Sequence, residues 1–394
     1  MQKASSGLKK TDSLPYWVCL HNFFSEELRD VTMSTRTQNP GLFKKLIFSL
    51  LAFSATAVQA ATVVYVANSE SKDISVFSLN RDGQLIALQT MPVGGTVMPM
   101  AISADKAMLY AALRSKPYSV VALRIDPKSG QLSEHGSAPL PESMANISLD
   151  RSGKFLFAAS YGGNQVSVSP LDENRVPLAA TQILPTPPMA HQITAQADNK
   201  IVYASSLGGD QLLSFSFDPV KGSLTPGSEP ALSLPAKSGP RHFVFSKDNR
   251  FIYLLDELDG RLHVLQREST TPQLKLLQTT SVIPAQFTGT PAAADLHLTP
   301  DGRFLYASER GSNTLSGFRV DARTGELSLI GSWPTETQPR GFNLSPDGNF
   351  LLAVGQKSHQ LSAYRIDPQS GQLTLLAQYA TGKNPNWVEV IELP

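Results

Sequence analysis

The chain has 394 residues, 41% hydrophobic and 17% charged, so it can fold around an apolar core and does not have the composition of a disordered protein. Its formal net charge of +1 gives no electrostatic argument for a nucleic-acid partner or for polybasic membrane binding. A single cysteine, Cys19, excludes an intramolecular disulfide, a cysteine-built zinc site and an iron–sulfur cluster.

The amino-terminal segment has the pattern of a secretion signal. Lys44 and Lys45 precede a mostly apolar stretch over 46–58, and the small residues Val58 and Ala60 occupy the positions expected before a cleavage site. The apolar stretch is shorter than the ~20 residues that a membrane-spanning helix needs. We therefore predict cleavage after Ala60, a periplasmic protein, and no membrane attachment once the signal is removed. If the signal is not used, the protein would be cytoplasmic.

The position of this signal also suggests where the native product begins. Met33 would start a presequence of ordinary length, whereas the 32 residues before it have no place in a signal of this form. The predicted organisation is a segment outside the native product or disordered, a signal peptide and one folded domain: 1–32, 33–60 and 61–394.

A pattern of about 48 residues repeats through the rest of the chain: an apolar strand, a tight polar turn and a second apolar strand. The turns lie 46 to 53 residues apart, at Asp105, Ser152, Asp198, Asp248, Asp301 and Asp347. Asp-Gly and Asp-Asn suit hairpins because these turns need residues that tolerate positive φ. A third strand follows, and a second Asp-led turn, as in 126–132 and 367–373, precedes a fourth. Four strands per repeat are typical of a β-propeller blade.

The two ends of the repeat region complete one another. Residues 62–79 contain a second and a third strand without a first, and 386–393 form a strand with nothing after it. Pairing the last strand with the first would close the ring and remove the exposed sheet edges. We predict an all-β, seven-bladed propeller of four-stranded blades, closed by its amino- and carboxy-terminal strands.

Common catalytic motifs are absent from the sequence, including the nucleophile elbow, the P-loop and the H-E-x-x-H zinc motif. Candidate site residues are instead polar side chains that interrupt the apolar pattern at equivalent points of several blades. They start a first strand or follow a second strand: His191, Arg241, His242, Asp295, His297 and Arg340, and then Glu257 and Arg310. Any one of them alone is more often a structural hydrogen-bonding residue. Their recurrence suits anion binding and proton movement, so an enzyme and a binding protein are both compatible with the pattern.

Three further histidines, His135, His263 and His359, fall on outer strands or loops. We interpret them as surface residues.

Several motifs resemble the seven-bladed propeller lactonases, in particular the bacterial 6-phosphogluconolactonases of the propeller type. They are GPRH at 239–242 followed by DEL at 256–258, ADLHLTPDGRFLYASER at 294–310, and TETQPRGFNLSPDG at 335–348 with GQKSH at 355–359. The likeness extends over essentially all of 61–394. It implies a carboxylic ester hydrolase that needs no metal or other cofactor.

The resemblance also implies roles for individual residues. His191, Arg241 and Glu257 match the family's proposed catalytic histidine, arginine and glutamate; Arg310 matches a second arginine, with Arg340 as the competing match. A cationic arginine would stabilise the oxyanion that forms when water attacks a lactone carbonyl. His191 is the expected general base and Glu257 its orienting partner, although either could take the proton.

The resemblance implies a small-molecule sugar lactone as the partner. We expect a monomeric protein, with His242, His297 and Arg340 as substrate-binding residues. Both 6-phospho-D-glucono-1,5-lactone and an unphosphorylated aldonolactone are candidates, because export would separate the protein from phosphorylated sugars. The alternatives are a non-catalytic ligand-binding or scaffold propeller, a calcium-dependent gluconolactonase, and a muconate-type lactonising enzyme.

Overall fold

A computed structural model describes residues 61–268 and 271–394, which form seven antiparallel sheets. The predicted signal peptide, the segment before it and Cys19 lie outside these described residues. Within them, no helix has the length and apolar character needed to span a membrane.

The strands of the described chain follow one another blade by blade. The first sheet begins with β1 (Thr62–Asn68), β2 (Asp73–Leu79) and β3 (Leu85–Pro92). The second contains β4 (Val97–Ile102), β5 (Met108–Leu113), β6 (Ser119–Ile125) and β7 (Leu132–Pro139). The third contains β8 (Asn146–Leu149), β9 (Phe155–Ser160), β10 (Gln165–Pro170) and β11 (Gln182–Pro185). The fourth contains β12 (Ala190–Ala195), β13 (Ile201–Ser206), β14 (Gln211–Asp218), β15 (Ser223–Pro226) and the short β16 (Leu232–Ser233).

The remaining three sheets have the same plan. The fifth contains β17 (Pro240–Phe245), β18 (Phe251–Asp256), β19 (Arg261–Arg267) and β20 (Leu274–Ser281). The sixth contains β21 (Ala293–Leu298), β22 (Phe304–Glu309), β23 (Thr314–Val320) and β24 (Leu327–Pro334). The seventh contains β25 (Pro339–Leu344), β26 (Phe350–Gly355), β27 (Gln360–Ile366) and β28 (Leu373–Ala380). The last strand, β29 (Pro385–Glu392), returns to the first sheet.

The last strand closes the ring. β29 pairs antiparallel with β1, with Thr62 opposite Glu392 and Val66 opposite Val388. Each sheet has one innermost strand, and each innermost strand contacts those of both neighbouring sheets. Seven such strands therefore surround a central channel: β29, β4, β8, β12, β17, β21 and β25. The prediction of an all-β, seven-bladed propeller closed by its terminal strands is confirmed.

The turns form as their residue types predict. In the hairpin between β17 and β18, Asp248 Oδ1 accepts the Arg250 N–H at 3.1 Å, and Asn249 has a φ of 57°. In the turn between β27 and β28, Asp367 Oδ1 accepts the N–H of Ser370 at 2.7 Å. Gly371, which ends that turn, has a φ of 75°, and a Cβ there would lie 2.6 Å from the Phe304 ring of the neighbouring blade. Each turn is therefore set both by its own residues and by packing against the next blade.

The apolar core lies between neighbouring blades and is built mainly from second strands. All residues of β5, β9, β18, β22 and β26 are buried. Buried tyrosines on these strands hydrogen-bond to backbone of an adjacent blade: Tyr65 Oη donates to Gly130 O and Tyr306 Oη to Gly371 O, both at 2.8 Å. The aromatic body packs in the core while the hydroxyl finds a partner, which satisfies both parts of the side chain.

The surface interpretation of His263 is wrong. It lies on β19 and is 3% exposed, with Nε2 2.7 Å from Asp256 Oδ2 and Nδ1 2.9 Å from Thr279 Oγ1. A third strand is covered by the neighbouring blade, so its polar residues need partners inside the protein. His135 and His359 are only partly exposed, and the Nδ1 of His359 accepts the Asn384 N–H at 3.0 Å.

Candidate active site

Three predicted site residues occupy the same irregular position at the start of an inner strand. Strand pairing shifts around His191 in β12, around Arg241 in β17 and around Arg340 in β25. Each of these residues is the extra, unpaired one of a β-bulge. A bulge bends the strand and redirects a side chain, which explains why these three leave the sheet pattern at one end of the channel.

The backbone before each bulge has a common geometry. Met189, Gly239 and Gln338, each two residues before the bulge residue, have φ values of 64°, 72° and 61°. A side chain of the preceding blade accepts each of their N–H groups at 2.7–2.9 Å, from Asn164, Asp210 and Asn313 respectively. Positive φ is costly for Met and Gln, so these contacts maintain a conformation that the sequence alone would not favour.

Glu257 connects two of the arginines. It follows β18 directly, as Arg310 follows β22, and second strands end where the inner strands begin. Glu257 Oε2 accepts Arg241 Nε at 2.8 Å, and Glu257 Oε1 lies 3.0 Å from Arg310 Nη2. Arg241 also donates to Ala294 O, and Arg310 Nε donates to Ala292 O at 2.9 Å. Both carboxylate oxygens are thus occupied by guanidinium groups that are themselves held in place.

The electrostatics of this cluster favour an anionic ligand. Burial alone would raise the pKa of Glu257, but the charges of Arg241 and Arg310 outweigh burial and lower it. Burial lowers the pKa of Arg241 to about 10, so the guanidinium stays protonated at neutral pH. Burial and the charges of Arg241 and Arg310 also lower the pKa of Arg340 well below its ordinary value. The charges of three guanidinium groups therefore act on the carboxylate of Glu257, and the charge of Asp295 acts on Arg241 as well. Arg340 makes no hydrogen bond from its buried Nε within the described chain.

His191 lies beside this cluster as a neutral imidazole. It is 3% exposed, and burial together with the charge of Arg241 lowers its pKa well below the ordinary value. Its Nδ1 has no hydrogen-bond partner among the described residues. The hydrogen bonds of Glu257 go to the arginines, and none joins it to His191. The orienting role expected for Glu257 toward His191 therefore has no hydrogen bond to support it here.

Two of the predicted substrate-binding histidines share one carboxylate farther along the channel. His242 Nδ1 is 2.7 Å from Asp295 Oδ1, and His297 Nε2 is 3.3 Å from Asp295 Oδ2. Together with Glu389 they line a cavity of about 120 Å³ between the inner strands. The His242 ring also lies 5.0 Å from the His191 ring, centroid to centroid, so this cavity adjoins the arginine cluster.

A larger hollow elsewhere contains none of the predicted site residues. It has a volume of about 400 Å³ and is lined by the exposed Asp105–Arg175 ion pair and by Arg124 and His135. Asp105 belongs to a hairpin turn, which places this hollow at the opposite end of the sheets from the arginine cluster. It contains none of the clustered arginines, so we assign the site to the channel.

Possible metal ligands and further charged groups near the arginine cluster determine what the site could hold. Over 61–268 and 271–394, no group of three or more His, Cys, Asp or Glu side chains could hold a metal ion. A fourth arginine, Arg114, adds its positive charge to the surroundings of Arg340. Arg114 follows β5 as Glu257 follows β18, so an alignment of equivalent blade positions would have identified it.

Comparisons with known proteins agree with this fold. A family model described as "Lactonase, 7-bladed beta-propeller" matches residues 60–390. The 6-phosphogluconolactonases of Serratia proteamaculans and Pectobacterium carotovorum are 40% and 41% identical over 281 residues, 71% of this chain and 84% of each relative. The structure of the periplasmic gluconolactonase PpgL of Pseudomonas aeruginosa has a TM-score of 0.80 at 28% identity, covering 85% of this chain and 100% of that one. The chain therefore belongs to the seven-bladed β-propeller lactonase family.

Proposed function

We propose that the protein hydrolyses a sugar lactone to the corresponding aldonic acid at the arginine cluster. The observation that carries this proposal is the group of Arg241, Arg310 and Arg340 around the carboxylate of Glu257, next to a neutral His191. The two relatives of about 40% identity are 6-phosphogluconolactonases, which supports the same reaction class.

The proposed chemistry needs an oxyanion stabilised and a proton moved. Water attacks the lactone carbonyl carbon, and the carbonyl oxygen becomes an oxyanion that a guanidinium group stabilises. Arg241 is already fixed by Glu257 and by Ala294 O, so it would reorganise little as charge develops. A neutral histidine takes the water proton and returns it to the ring oxygen as the ring opens. Glu257 is the weaker candidate base, because both of its carboxylate oxygens are already engaged by Arg241 and Arg310.

The phosphorylation state of the substrate is the finer part of the proposal. The excess positive charge and the free Nε of Arg340 favour a lactone that carries an anionic group, since guanidinium binds phosphate in a two-point fashion. The signal pattern before Ala61, and the likeness to a periplasmic gluconolactonase, favour an unphosphorylated aldonolactone instead. We propose that both are hydrolysed and that Arg340 provides the preference for the phosphorylated one.

Acid release measured at constant pH tests both the proposed hydrolysis and the proposed preference for the phosphorylated lactone. The purified protein is given δ-gluconolactone or its 6-phosphate, and spontaneous hydrolysis is subtracted. We expect catalysed hydrolysis of both, and Arg340→Gln should lower kcat/KM more for the phosphorylated lactone than for the other. Rates no higher than spontaneous hydrolysis with both lactones would instead favour a non-catalytic binding propeller.

A further inference from the structure

His242 and Asp295 form a buried pair that resembles the base and orienting carboxylate of a hydrolase. His242 directly follows the bulge residue of β17, and Asp295 lies on the adjacent inner strand β21. Their Nδ1–Oδ1 distance is 2.7 Å, with side chains 8% and 13% exposed. Asp295 is held in turn by the Leu296 N–H at 3.0 Å and by His297. A hydrogen bond of this kind fixes the orientation of an imidazole ring.

The charge state of Asp295 determines which nitrogen of His242 carries the proton. Burial alone would raise the pKa of Asp295, but His297 and His242 outweigh it and hold that pKa far below its ordinary value. An ionised carboxylate only accepts hydrogen bonds, so Nδ1 of His242 must be the donor. Burial and the charge of Arg241 lower the pKa of His242 to about 4, so the ring is neutral at pH 7. Nε2 then holds the free lone pair, which is the form that a general base requires.

The surroundings of His242 Nε2 also suit a proton acceptor. It is buried and has no hydrogen-bond partner among the described residues. The His242 ring packs edge-on against the His191 ring at 5.0 Å, and Arg241 is the preceding residue. A buried polar atom without a partner is uncommon in proteins, and this one belongs to a ring on which the charges of Arg241 and Arg340 act, so it is placed to receive a reactant. His191, by contrast, has no carboxylate partner within the described part of the chain that would select one of its nitrogens.

We propose that His242 is the general base of this lactonase and that Asp295 is its positioning residue. This inference rests on the proposed lactone hydrolysis and replaces the expected base, His191. As the oxygen of water bonds to the carbonyl carbon, one water proton passes to His242 Nε2. The bond between that carbon and the ring oxygen then breaks, and the same proton moves from Nε2 to the ring oxygen, which becomes a hydroxyl. The product is the open hydroxy acid, and His242 returns to its neutral form.

Several charged or titratable groups surround His242 and set its response to pH. Arg241 on its own strand and Arg340 on β25 disfavour its protonation, and Asp295 on β21 favours it. His191 on β12 faces the ring directly, and Trp387 on β29 packs against it at 5.9 Å. An anionic substrate beside the arginines would offset part of their positive charge, which makes His242 a stronger base when substrate is bound.

The test compares His242→Gln, Asp295→Asn and His191→Gln in the full-length protein, with His135→Gln as the matched control outside the channel. We expect kcat for δ-gluconolactone to fall by about 10²–10⁴-fold in His242→Gln and Asp295→Asn, with KM changed less than about threefold. The double variant should be about as slow as His242→Gln alone, because the two residues act as a unit. His135→Gln should keep the wild-type rate.

A rescue experiment separates catalysis from structure. Imidazole added to His242→Ala should restore part of kcat. In the pH–rate profile of the rescued variant, the fall of kcat at low pH should have its midpoint near the pKa of imidazole itself. A His242→Gln rate within about threefold of wild type, or a loss in His242→Ala that imidazole does not restore, would overturn the proposal. So would a large loss in His191→Gln alone. If the wild-type protein lacks lactonase activity, the proposed function falls and this inference with it.

Discussion

Replacing Glu257 by Gln would remove the negative charge that both Arg241 and Arg310 contact, while keeping the length of the side chain. The amide oxygen can accept from only one of the two arginines, so the other loses a partner in a buried cluster of like charges. Removing one member of a buried ion pair costs about 3–5 kcal/mol. Because Glu257 is 21% exposed and Gln retains one acceptor, we expect the lower end, about 3 kcal/mol.

This free energy converts to a measurable change in Tm. Unfolding entropy is about 2 cal/mol/K per residue, or roughly 0.7 kcal/mol/K for a domain the size of 61–394, so about 3 kcal/mol corresponds to a Tm lower by roughly 4 °C. Turnover should fall at least tenfold as well, because Arg241 and Arg310 would no longer be held in one geometry.

The pH dependence provides an independent check on the cause. The pKa of Glu257 in the folded protein lies below its ordinary value of 4.5, so its stabilising effect is complete above pH 4.5. That effect is lost as the pH falls through the folded pKa. The Tm difference between wild type and Glu257→Gln should therefore be largest near pH 7 and shrink below pH 4.5.

Thermal unfolding followed by circular dichroism at pH 7 and at pH 3 measures this difference. Glu134→Gln, an exposed residue of β7, is the matched control and should leave Tm unchanged at both values. Equal Tm values for Glu257→Gln and wild type at pH 7, or a difference that persists undiminished at pH 3, would refute the electrostatic argument.

Three further outcomes are expected. Arg241→Lys should lower kcat at least tenfold with an unchanged fold by circular dichroism, because one ammonium cannot reproduce donors to both Glu257 and Ala294 O; wild-type turnover would contradict the site. The mature protein should begin at Ala61 and be released by osmotic shock; an intact mass that retains 33–60 in a cytosolic protein would contradict export. Full lactonase activity in EDTA is expected, and a loss of activity on chelation would favour a calcium-dependent gluconolactonase.

The fold was predictable because its determinants are local and repeated. Each Asp-led turn depends on its own carboxylate and on a residue with positive φ, and such turns recur at a regular spacing along the chain. The closing pair of β1 and β29 followed from the two incomplete ends, since a ring leaves no unpaired edge. His263 was misjudged for a related reason: periodicity along one strand does not reveal that a neighbouring blade covers it.

The site was only partly predictable. The position of each residue within its repeat identified His191, Arg241 and Arg340 correctly as equivalent positions. The bulges that redirect their side chains are not visible in sequence. The pairing of His242 with Asp295 was not predictable, because the two residues come from different blades. Asp295 lies 53 residues from His242 along the chain, and only the curvature of the ring brings the two within hydrogen-bond distance.

The pairing of β1 with β29 has a consequence for how the chain folds. The closing contact joins segments about 320 residues apart, so ring closure waits until the carboxy-terminal strand has been synthesised. Contacts of such high sequence separation slow folding, although the entropic cost of closing a loop grows only with the logarithm of its length. Because Ala61 O and the Leu393 N–H lie 2.8 Å apart, the two ends could also be joined and the ring opened in a different blade.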